Sequence, residues 1–231
     1  MRCTRSPACV RVFLLARSSS GLGDRCRYSA PLMKNFDRIR DTADPRLSTF
    51  ESEIVSSFSV ANSRFYIDAK NRVRNVWVGR EFSDANLKDL LRLQHLISFI
   101  AFDMHQPIST LTGESIQLLS QHHRICAVSL TNCTNITIES LNPIVDNKWI
   151  RWLHFAGDLI TDEICQYFDR LNHVIFLNLD SSNLSDDSVD RFASLTSLRR
   201  LHLRNCGISS HGKARIQKLL PRCKIYPENA E

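Results

Sequence analysis

Two histidines recur at matching positions of this chain, and they are the first residues to consider for metal or acid-base chemistry. His154 and His202 each stand between two apolar residues of a short alternating segment. Imidazole is a common zinc ligand and a common general base. The alternation predicts one β-strand for each histidine, with one strand between them, so the two rings would lie about 10 Å apart. That distance is too long for one metal ion, and we predict no metal site.

Cysteine use favours reduced thiols over a disulfide scaffold. Three of the eight cysteines lie within the first 32 residues, and the rest of the chain holds an odd five: Cys126, Cys133, Cys165, Cys206 and Cys223. Cys133 and Cys206 occupy the same pattern position three strands apart, about 14 Å, which exceeds the reach of a disulfide. The sequence contains no C-x-x-C pair, no G-x-S-x-G motif and no glycine-rich phosphate loop. We therefore predict no catalytic residue, no cofactor and no enzymatic activity.

The elements that carry these residues follow a period. An apolar residue followed by a helix-starting Ser, Thr or Asp occurs six times, at Phe82, Ile108, Ile136, Ile160, Leu184 and Ile208, with intervals of 26, 28, 24, 24 and 24 residues. Such intervals are typical of chains built from stacked supersecondary units. The last three units match without a gap, and the earlier ones need an insertion or a deletion of one residue.

Each unit predicts a strand, a turn and a helix. Val174, Leu177 and Leu179 alternate before Leu184, which predicts a strand, and Ser185 then offers an N-cap hydroxyl to a following helix. In Phe82-Ser83-Asp84, Ile160-Thr161-Asp162 and Leu184-Ser185-Asp186, the Asp favours the positive helix terminus. A doubly wound sheet has the same alternation with longer connections, and it remains the alternative fold.

The repeated I-[ST]-D-x-x-[LIV] segment resembles the leucine-rich repeat family, in the short form of bacterial and cysteine-containing repeats. The resemblance covers roughly residues 73 to 225. The turn position where the family commonly has Asn, Cys or Thr holds Cys133, Asp158, Ser182 and Cys206, so Asp158 and Ser182 depart from it. The resemblance implies an α/β solenoid of about six repeats, with a parallel sheet on the concave face and helices on the convex face. It implies no particular ligand.

The alternation also predicts which side chains would line the concave face. Phe99 and Ala101 are expected there in the second unit, at the positions that Trp152 and His154 occupy in the fourth. Exposed aromatic and arginine side chains are common interface anchors. The predicted partner-binding residues are Trp152, His154, Phe176, Asn178, Asp180, Arg200, His202 and Arg204. In the alternative, Trp152 and Phe176 pack with each other or are covered by a terminal segment.

We expect three parts along the chain. Residues 1–32 hold +5 of the net charge of +6, and they are interpreted as a disordered leader or a mis-assigned start before Met33, as a mitochondrial transit peptide, or as a secretory signal. Residues 33–72 are expected to form an N-terminal cap, with an amphipathic helix over 45–60 that starts at Asp44-Pro45 and a hairpin strand. The alternative role of that helix is partner binding. Residues 73–231 form the predicted repeat domain.

These features favour a non-catalytic module that binds a protein partner through the concave face. Because residues 33–231 carry only +1 of the net charge, we predict no nucleic-acid partner, and no segment suggests membrane insertion. The alternative function is a mitochondrial assembly or coupling factor with an N-terminal transit peptide. The predicted location is cytoplasmic, with mitochondrial as the alternative, and the oligomeric state is open.

Overall fold

The computed structural model describes residues 37–38, 44–58, 63–103 and 106–227. The interpretations of residues 1–32 therefore lie outside the described residues and remain predictions, as do the domain boundaries.

A nine-stranded sheet runs through the described part of the chain, with its strands in chain order. The first three strands pair antiparallel and all later neighbours pair parallel. The strands are β1 Asp37–Arg38, β2 Arg64–Ile67, β3 Val73–Val78, β4 Ser98–Ala101, β6 Ala127–Thr131, β8 Trp152–Ala156, β9 Phe176–Asn178, β10 Arg200–His202 and β11 Lys224–Tyr226. Two further strands, β5 Ile108–Thr112 and β7 Cys133–Asn135, form a small parallel sheet.

Helices connect the parallel strands. The α-helices are Thr49–Ser57, Asp84–Leu90, Gly113–Gln121, Asn142–Asp146 and Ser210–Leu219, and the 3₁₀ helices are Glu139–Leu141, Asp162–Arg170 and Asp186–Ser194. Their buried side chains share one core with the inward residues of the strands, and within it Phe168 and Phe192 meet edge to face at 4.9 Å. The expectation of an α/β fold with a large, mostly parallel sheet is confirmed.

Helix starts agree with the sequence in most units. Thr161, Ser185 and Ser209 are N-caps whose hydroxyls accept from a backbone N–H of the first turn. The prediction for Ser109 is wrong, because this residue lies in β5 and Thr112 is the N-cap of the next helix. The longer interval of this unit therefore accommodates an extra strand before its helix.

Aspartates at three helix starts form hydrogen bonds to the following unit. The Asp162 carboxylate accepts hydrogen bonds from the backbone N–H and the hydroxyl of Ser185, at 2.8 and 2.6 Å. Asp186 accepts from the N–H of Ser209 at 2.8 Å. Carboxylate acceptors form stronger hydrogen bonds than neutral ones. Each Asp therefore interacts favourably with the positive N-terminus of its own helix, and it also accepts hydrogen bonds from the N-cap residue of the following unit.

The middle of the chain lacks this link. Asp84 binds Thr112 in the same way, at 3.1 and 2.6 Å. The two following units, however, have Gly113 and Ile138 at the Asp position. The connection resumes with Asp162, so the sequence departs from its own repeat where the small sheet intervenes.

A column of left-handed residues ends the later strands, and it was not predicted. Asn132, Ser181 and Asn205 have φ of 54°, 57° and 51°, and Gly157 has φ of 116°. Asn and Gly tolerate this conformation better than other residues. It turns the chain sharply from the strand towards the helix layer.

At two members of the turn position that follows this column, the side chain forms the expected local hydrogen bond. The Ser182 hydroxyl donates to the Leu179 carbonyl at 2.7 Å, and the Cys206 thiol donates to the Leu203 carbonyl at 3.1 Å. Such bonds satisfy backbone carbonyls that leave the ladder.

The N-terminal helix is shorter than predicted. It begins at Thr49, with Ser48 as its N-cap, rather than at Asp44-Pro45. Ile54, Val55 and Phe58 are buried, while Phe50 is 42% exposed. The predicted hairpin is confirmed, because β2 and β3 pair antiparallel. No described helix is long and apolar enough to cross a membrane.

Candidate binding face

One face of the sheet carries no helix among the described residues, and we call it the helix-free face. Along β8, Leu153 and Phe155 point into the helix-packed core, while Trp152 belongs to a separate buried cluster with Ala127 and Phe176. The pairing register places two columns on the helix-free face. The first is Asn75, Ser98, Ala127, Trp152, Phe176, Arg200 and Lys224, and the second is Trp77, Ile100, Ser129, His154, Asn178, His202 and Tyr226.

The second unit departs from the prediction by one residue. Phe99 pairs with Val128 and Ala101 with Leu130, so both belong to the core, and Ser98 and Ile100 take their places on the helix-free face. A shift of one residue exchanges the two faces of a strand. The segment from Ser98 to Phe102 is largely apolar on both faces, so alternation could not decide its register.

Four rings contact one another in series across four neighbouring strands. Trp152 lies on Phe176 with centroids 4.9 Å apart and planes 18° apart, and Phe176 contacts His202 at 5.1 Å. His202 in turn stacks on Tyr226 at 4.6 Å. The edge of His154 meets Trp152 at 6.0 Å. We call this series of rings the ring ladder. The register explains its two stacked pairs, Trp152–Phe176 and His202–Tyr226, because each pair occupies equivalent positions one strand spacing apart. Phe176 and His202 belong to different columns and meet diagonally, with their planes 39° apart.

The expectation that this surface is exposed is wrong for its aromatic residues. Trp152 is 6% exposed and Phe176 5%, and the side chains of His154, Asn178 and His202 are buried as well. Trp152 and Phe176 do pack with each other, as in the alternative given above. This stacking covers the faces that the two rings turn towards each other, and it does not cover their edges. The half-buried members are Asp180, Arg200 and Arg204, and these form the accessible rim.

Asp180 organises the rim. Its Oδ1 accepts from the backbone N–H of Arg204 at 2.6 Å, and its own N–H donates to Asn178 Oδ1 at 2.8 Å. Its Oδ2 lies 3.9 Å from His202 Nδ1, which is beyond hydrogen-bond distance. Four of the predicted site residues therefore lie together around Asp180: Asn178, Asp180, His202 and Arg204.

Burial keeps both histidines of this face neutral. Desolvation lowers the pKa of His154 to about 4, with a smaller contribution from His202. Desolvation also lowers the pKa of His202 to about 4, and the charges of Arg204 and Arg200 act in the same direction. The pKa of Asp180 is raised by burial. His154 Nδ1 lies 3.0 Å from the Ser129 hydroxyl. Both histidine rings are surrounded by protein atoms and have little access to solvent.

Several buried polar atoms of this face are unsatisfied. Ser98 Oγ, Thr131 Oγ1 and His202 Nδ1 have no hydrogen-bond partner among the residues that the structure describes. A buried polar group without a partner costs about 1–3 kcal/mol. The face is therefore able to gain stability from a molecule that brings hydrogen-bonding groups to it.

Metal and thiol chemistry receive no support from the described ranges. No group of three His, Cys, Asp or Glu side chains there could hold a metal ion. Cys133, Cys165, Cys206 and Cys223 form no disulfide, and burial raises the pKa of Cys133, Cys165 and Cys223 to about 12. Thiols with such a pKa are weak nucleophiles at neutral pH.

Two residues of the face were not named as site candidates. Lys224 and Tyr226 extend the two columns onto β11, and the Lys224 ammonium lies 5.2 Å from the Tyr226 ring centroid. The signal was available, because the segment Cys223-Lys224-Ile225-Tyr226 alternates in the same way as the earlier strands. Continuing the alternation by one strand would have placed both.

Comparison with known proteins identifies no family. No family model matches the sequence, and no curated protein matches it significantly. Among solved structures, a leucine-rich-repeat protein of Leptospira interrogans is 24% identical, with a TM-score of 0.39 over 59% of this chain and 38% of that one. Internalin C2 of Listeria monocytogenes is 14% identical, with a TM-score of 0.38 over 62% of this chain and 73% of that one. The chain thus spans 38% of the length of the Leptospira protein, and neither likeness assigns a function to it.

Proposed function

We propose that this chain is a non-catalytic protein-binding module, built as a leucine-rich repeat solenoid of about six units. A segment of a partner protein binds the helix-free face through Trp152, His154, Phe176, Asn178, Asp180, Arg200, His202 and Arg204. The observation that carries the proposal is the ring ladder from Trp152 to Tyr226, which lies outside the main core and borders unsatisfied polar atoms.

Access to this face starts at the rim. Because Trp152 and Phe176 are nearly inaccessible, a partner first meets the half-buried Asp180, Arg200 and Arg204. Arginine pairs well with carboxylates and with aromatic faces, and it is enriched among the residues that dominate interface energies. Hydrogen-bonding groups of the partner would then satisfy atoms such as His202 Nδ1.

The chemistry of the face supports binding over catalysis. A general base works best when its pKa is near the operating pH, whereas the pKa values of His154 and His202 lie at about 4. At neutral pH both rings are neutral and weakly basic. Their contribution is therefore to shape and hydrogen bonding.

The test is affinity capture with a charge reversal at the rim. The full-length chain and the variant Arg200→Glu/Arg204→Glu are used to capture proteins from a native extract, and captured proteins are identified and then titrated in purified form. We expect a partner that binds the wild type and loses at least tenfold in affinity with the variant, since hot-spot residues cost about 2 kcal/mol or more.

The matched control is Arg191→Glu/Lys218→Glu, which changes the net charge equally at exposed positions of the helix layer. It should bind the partner like the wild type. A partner that binds the rim variant and the wild type equally well would exclude the helix-free face as its binding site.

A further inference from the structure

The starts of the parallel strands form one edge of the sheet. Backbone hydrogen bonds join Arg151 N–H to the Cys126 carbonyl, Ile175 N–H to the Arg151 carbonyl and Arg199 N–H to the Ile175 carbonyl, at 2.8, 2.9 and 2.9 Å. The segments that enter β6, β8, β9, β10 and β11 therefore lie side by side. With about 4.8 Å for each strand spacing, the five segments span about 19 Å.

Four of these five segments carry Lys or Arg, and none of the five contains an acidic residue. They comprise residues 121–126, 147–151, 171–175, 195–199 and 220–224, and none of them contains Asp or Glu. We call their cations the basic edge: Arg124, Lys148, Arg151, Arg199, Arg222 and Lys224. All are exposed except Arg151, which is half-buried.

Acidic residues gather at the opposite edge, where the strands end and the helices begin. This edge includes Asp158, Asp162, Glu163, Asp186 and Asp187. The net charge of +1 in residues 33–231 thus conceals a separation of charge across the sheet. A small net charge therefore does not imply an electrically neutral surface.

Five of the six cations of the basic edge are not engaged in ion pairs with described residues. Arg124, Lys148, Arg151, Arg199 and Arg222 form no ion pair within the described part of the chain. By contrast, the nearby Arg170 is paired with Asp146 at 2.5 Å.

Two guanidinium groups of this edge are held in place. Arg199 Nη1 donates to the carbonyls of Ser197 and Leu198, both at 3.0 Å, and Arg151 Nη1 donates to the carbonyls of Lys148 and Ile150. A guanidinium has five N–H donors, so each group keeps donors for an external carboxylate. A fixed guanidinium also loses less entropy on binding.

We propose that the basic edge binds an acidic segment of a partner protein, with Asp and Glu side chains placed against successive strand entries. Trp149 lies within the edge and is 48% exposed, which provides an apolar anchor of the kind enriched at protein interfaces. An extended peptide advances about 3.3 Å per residue, so six residues reach from Arg124 to Arg222. The basic edge shares only Lys224 with the helix-free face, and the proposal does not depend on binding there.

An acidic protein segment fits the edge better than a nucleic acid. Single-stranded nucleic acids bind on successive aromatic side chains within a basic groove, and this edge has one large exposed aromatic residue, Trp149. Nucleic-acid-binding domains also carry a large positive charge as a whole, while here acidic residues occupy the opposite edge. A short acidic segment needs only the local field.

The test uses a fluorescein-labelled decamer of glutamate as the probe and fluorescence anisotropy as the readout. The full-length wild-type chain should bind it at low salt, and affinity should fall as NaCl is raised. The variant Arg124→Glu/Lys148→Glu/Arg199→Glu should bind about tenfold more weakly than the wild type, because each exposed ion pair is worth a factor of about 1.5 to 5 and three of them are lost.

The control variant Arg64→Glu/Arg191→Glu/Lys218→Glu carries the same change of charge at exposed positions away from this edge, and it should lose less than threefold. Circular dichroism verifies that both variants are folded. Three results would overturn the proposal: equal losses in the two variants, tighter binding of the wild type to a ten-nucleotide oligo-uridylate, or tighter binding to phosphatidylserine vesicles.

Discussion

Acidification from pH 7 to pH 5 should lower the free energy of unfolding by about 4 kcal/mol, because His154 and His202 are buried as neutral rings. Desolvation lowers both pKa values to about 4 in the folded chain, whereas an unfolded histidine titrates near 6.5. Protons therefore bind the unfolded state more readily. The stabilising contribution is fully present above pH 6.5 and is lost as the pH falls from 6.5 to 4.

The magnitude follows from the size of the shift. Each pKa unit corresponds to about 1.4 kcal/mol. At pH 5 the unfolded histidine lies about 1.5 pH units below its pKa and is protonated, whereas the folded histidine is mostly unprotonated. Each histidine therefore lowers the free energy of unfolding by about 2 kcal/mol. Two histidines give about 4 kcal/mol, a large fraction of the stability of a domain. Asp180 has the opposite effect on stability at low pH. Burial raises its pKa in the folded chain, so protonation of Asp180 stabilises the folded state.

Urea denaturation followed by circular dichroism at pH 7, 6 and 5 measures the effect. The variant His154→Asn/His202→Asn places in both units the residue that the intervening strand has at Asn178, and it should lose most of the pH dependence. A residual slope is expected from His122, which is also buried with a lowered pKa caused mainly by desolvation. The control His123→Asn/His211→Asn removes two exposed histidines. The reasoning fails if the control flattens the slope as much as the buried pair, or if wild-type stability is unchanged between pH 7 and pH 5.

Three further perturbations address the packing between units and the cysteines. Asp162→Ala removes both hydrogen bonds to Ser185 and should lower the free energy of unfolding by about 2 kcal/mol, whereas the control Asp187→Ala should lower it by about 0.5 kcal/mol. Equal losses in urea denaturation would contradict the link between units. Gly207→Ala places a Cβ 2.6 Å from the Leu184 carbonyl oxygen, so it should lower the free energy of unfolding by about 1–3 kcal/mol and the thermal midpoint with it. In the control Gly79→Ala the new Cβ lies 3.9 Å from its nearest neighbour, and the thermal midpoint should be nearly unchanged. Iodoacetamide at pH 8 should label Cys133, Cys165 and Cys223 only after denaturation, because burial raises each pKa to about 12; rapid labelling of the native chain, measured by mass spectrometry, would show that these thiols are accessible.

The later units could be predicted from the sequence because their signals are redundant. In the unit from Val174 to Leu195, alternation defines the strand, Ser185 marks the helix start and the apolar positions recur at helical spacing. The same signals return after 24 residues. Errors in one signal are therefore corrected by the others, and the register from Trp152 to Arg200 is confirmed.

The earlier units were harder to predict, because each assignment of a strand or a helix start depended on a single sequence signal. Phe99 was placed on the wrong face since both faces of β4 are largely apolar, and the ring contact with Phe82 at 6.0 Å accompanies the observed register. Ser109 resembled an N-cap, yet β5 pairs with β7 at this point. Pairing with a distant strand is a tertiary effect, and local sequence does not encode it.

Burial of the candidate site could not be predicted from alternation. Alternation assigns Trp152 and Phe176 to a face, but it does not say what lies against that face. The links made by Asp162 and Asp186 were also missed, because their partners belong to the next unit. Both features depend on contacts between units rather than on the pattern within one.

The central claim, that a protein partner occupies the helix-free face, is tested most directly by site-specific photo-crosslinking. A photoreactive phenylalanine analogue replaces Arg204 on the rim and, in a second sample, Lys218 on the helix layer, and each full-length chain is irradiated in a native extract. We expect one discrete protein adduct from position 204 that is absent from position 218 and is lost with the additional substitution Arg200→Glu. Identical adducts from both positions, or no adduct from position 204, would contradict the claim.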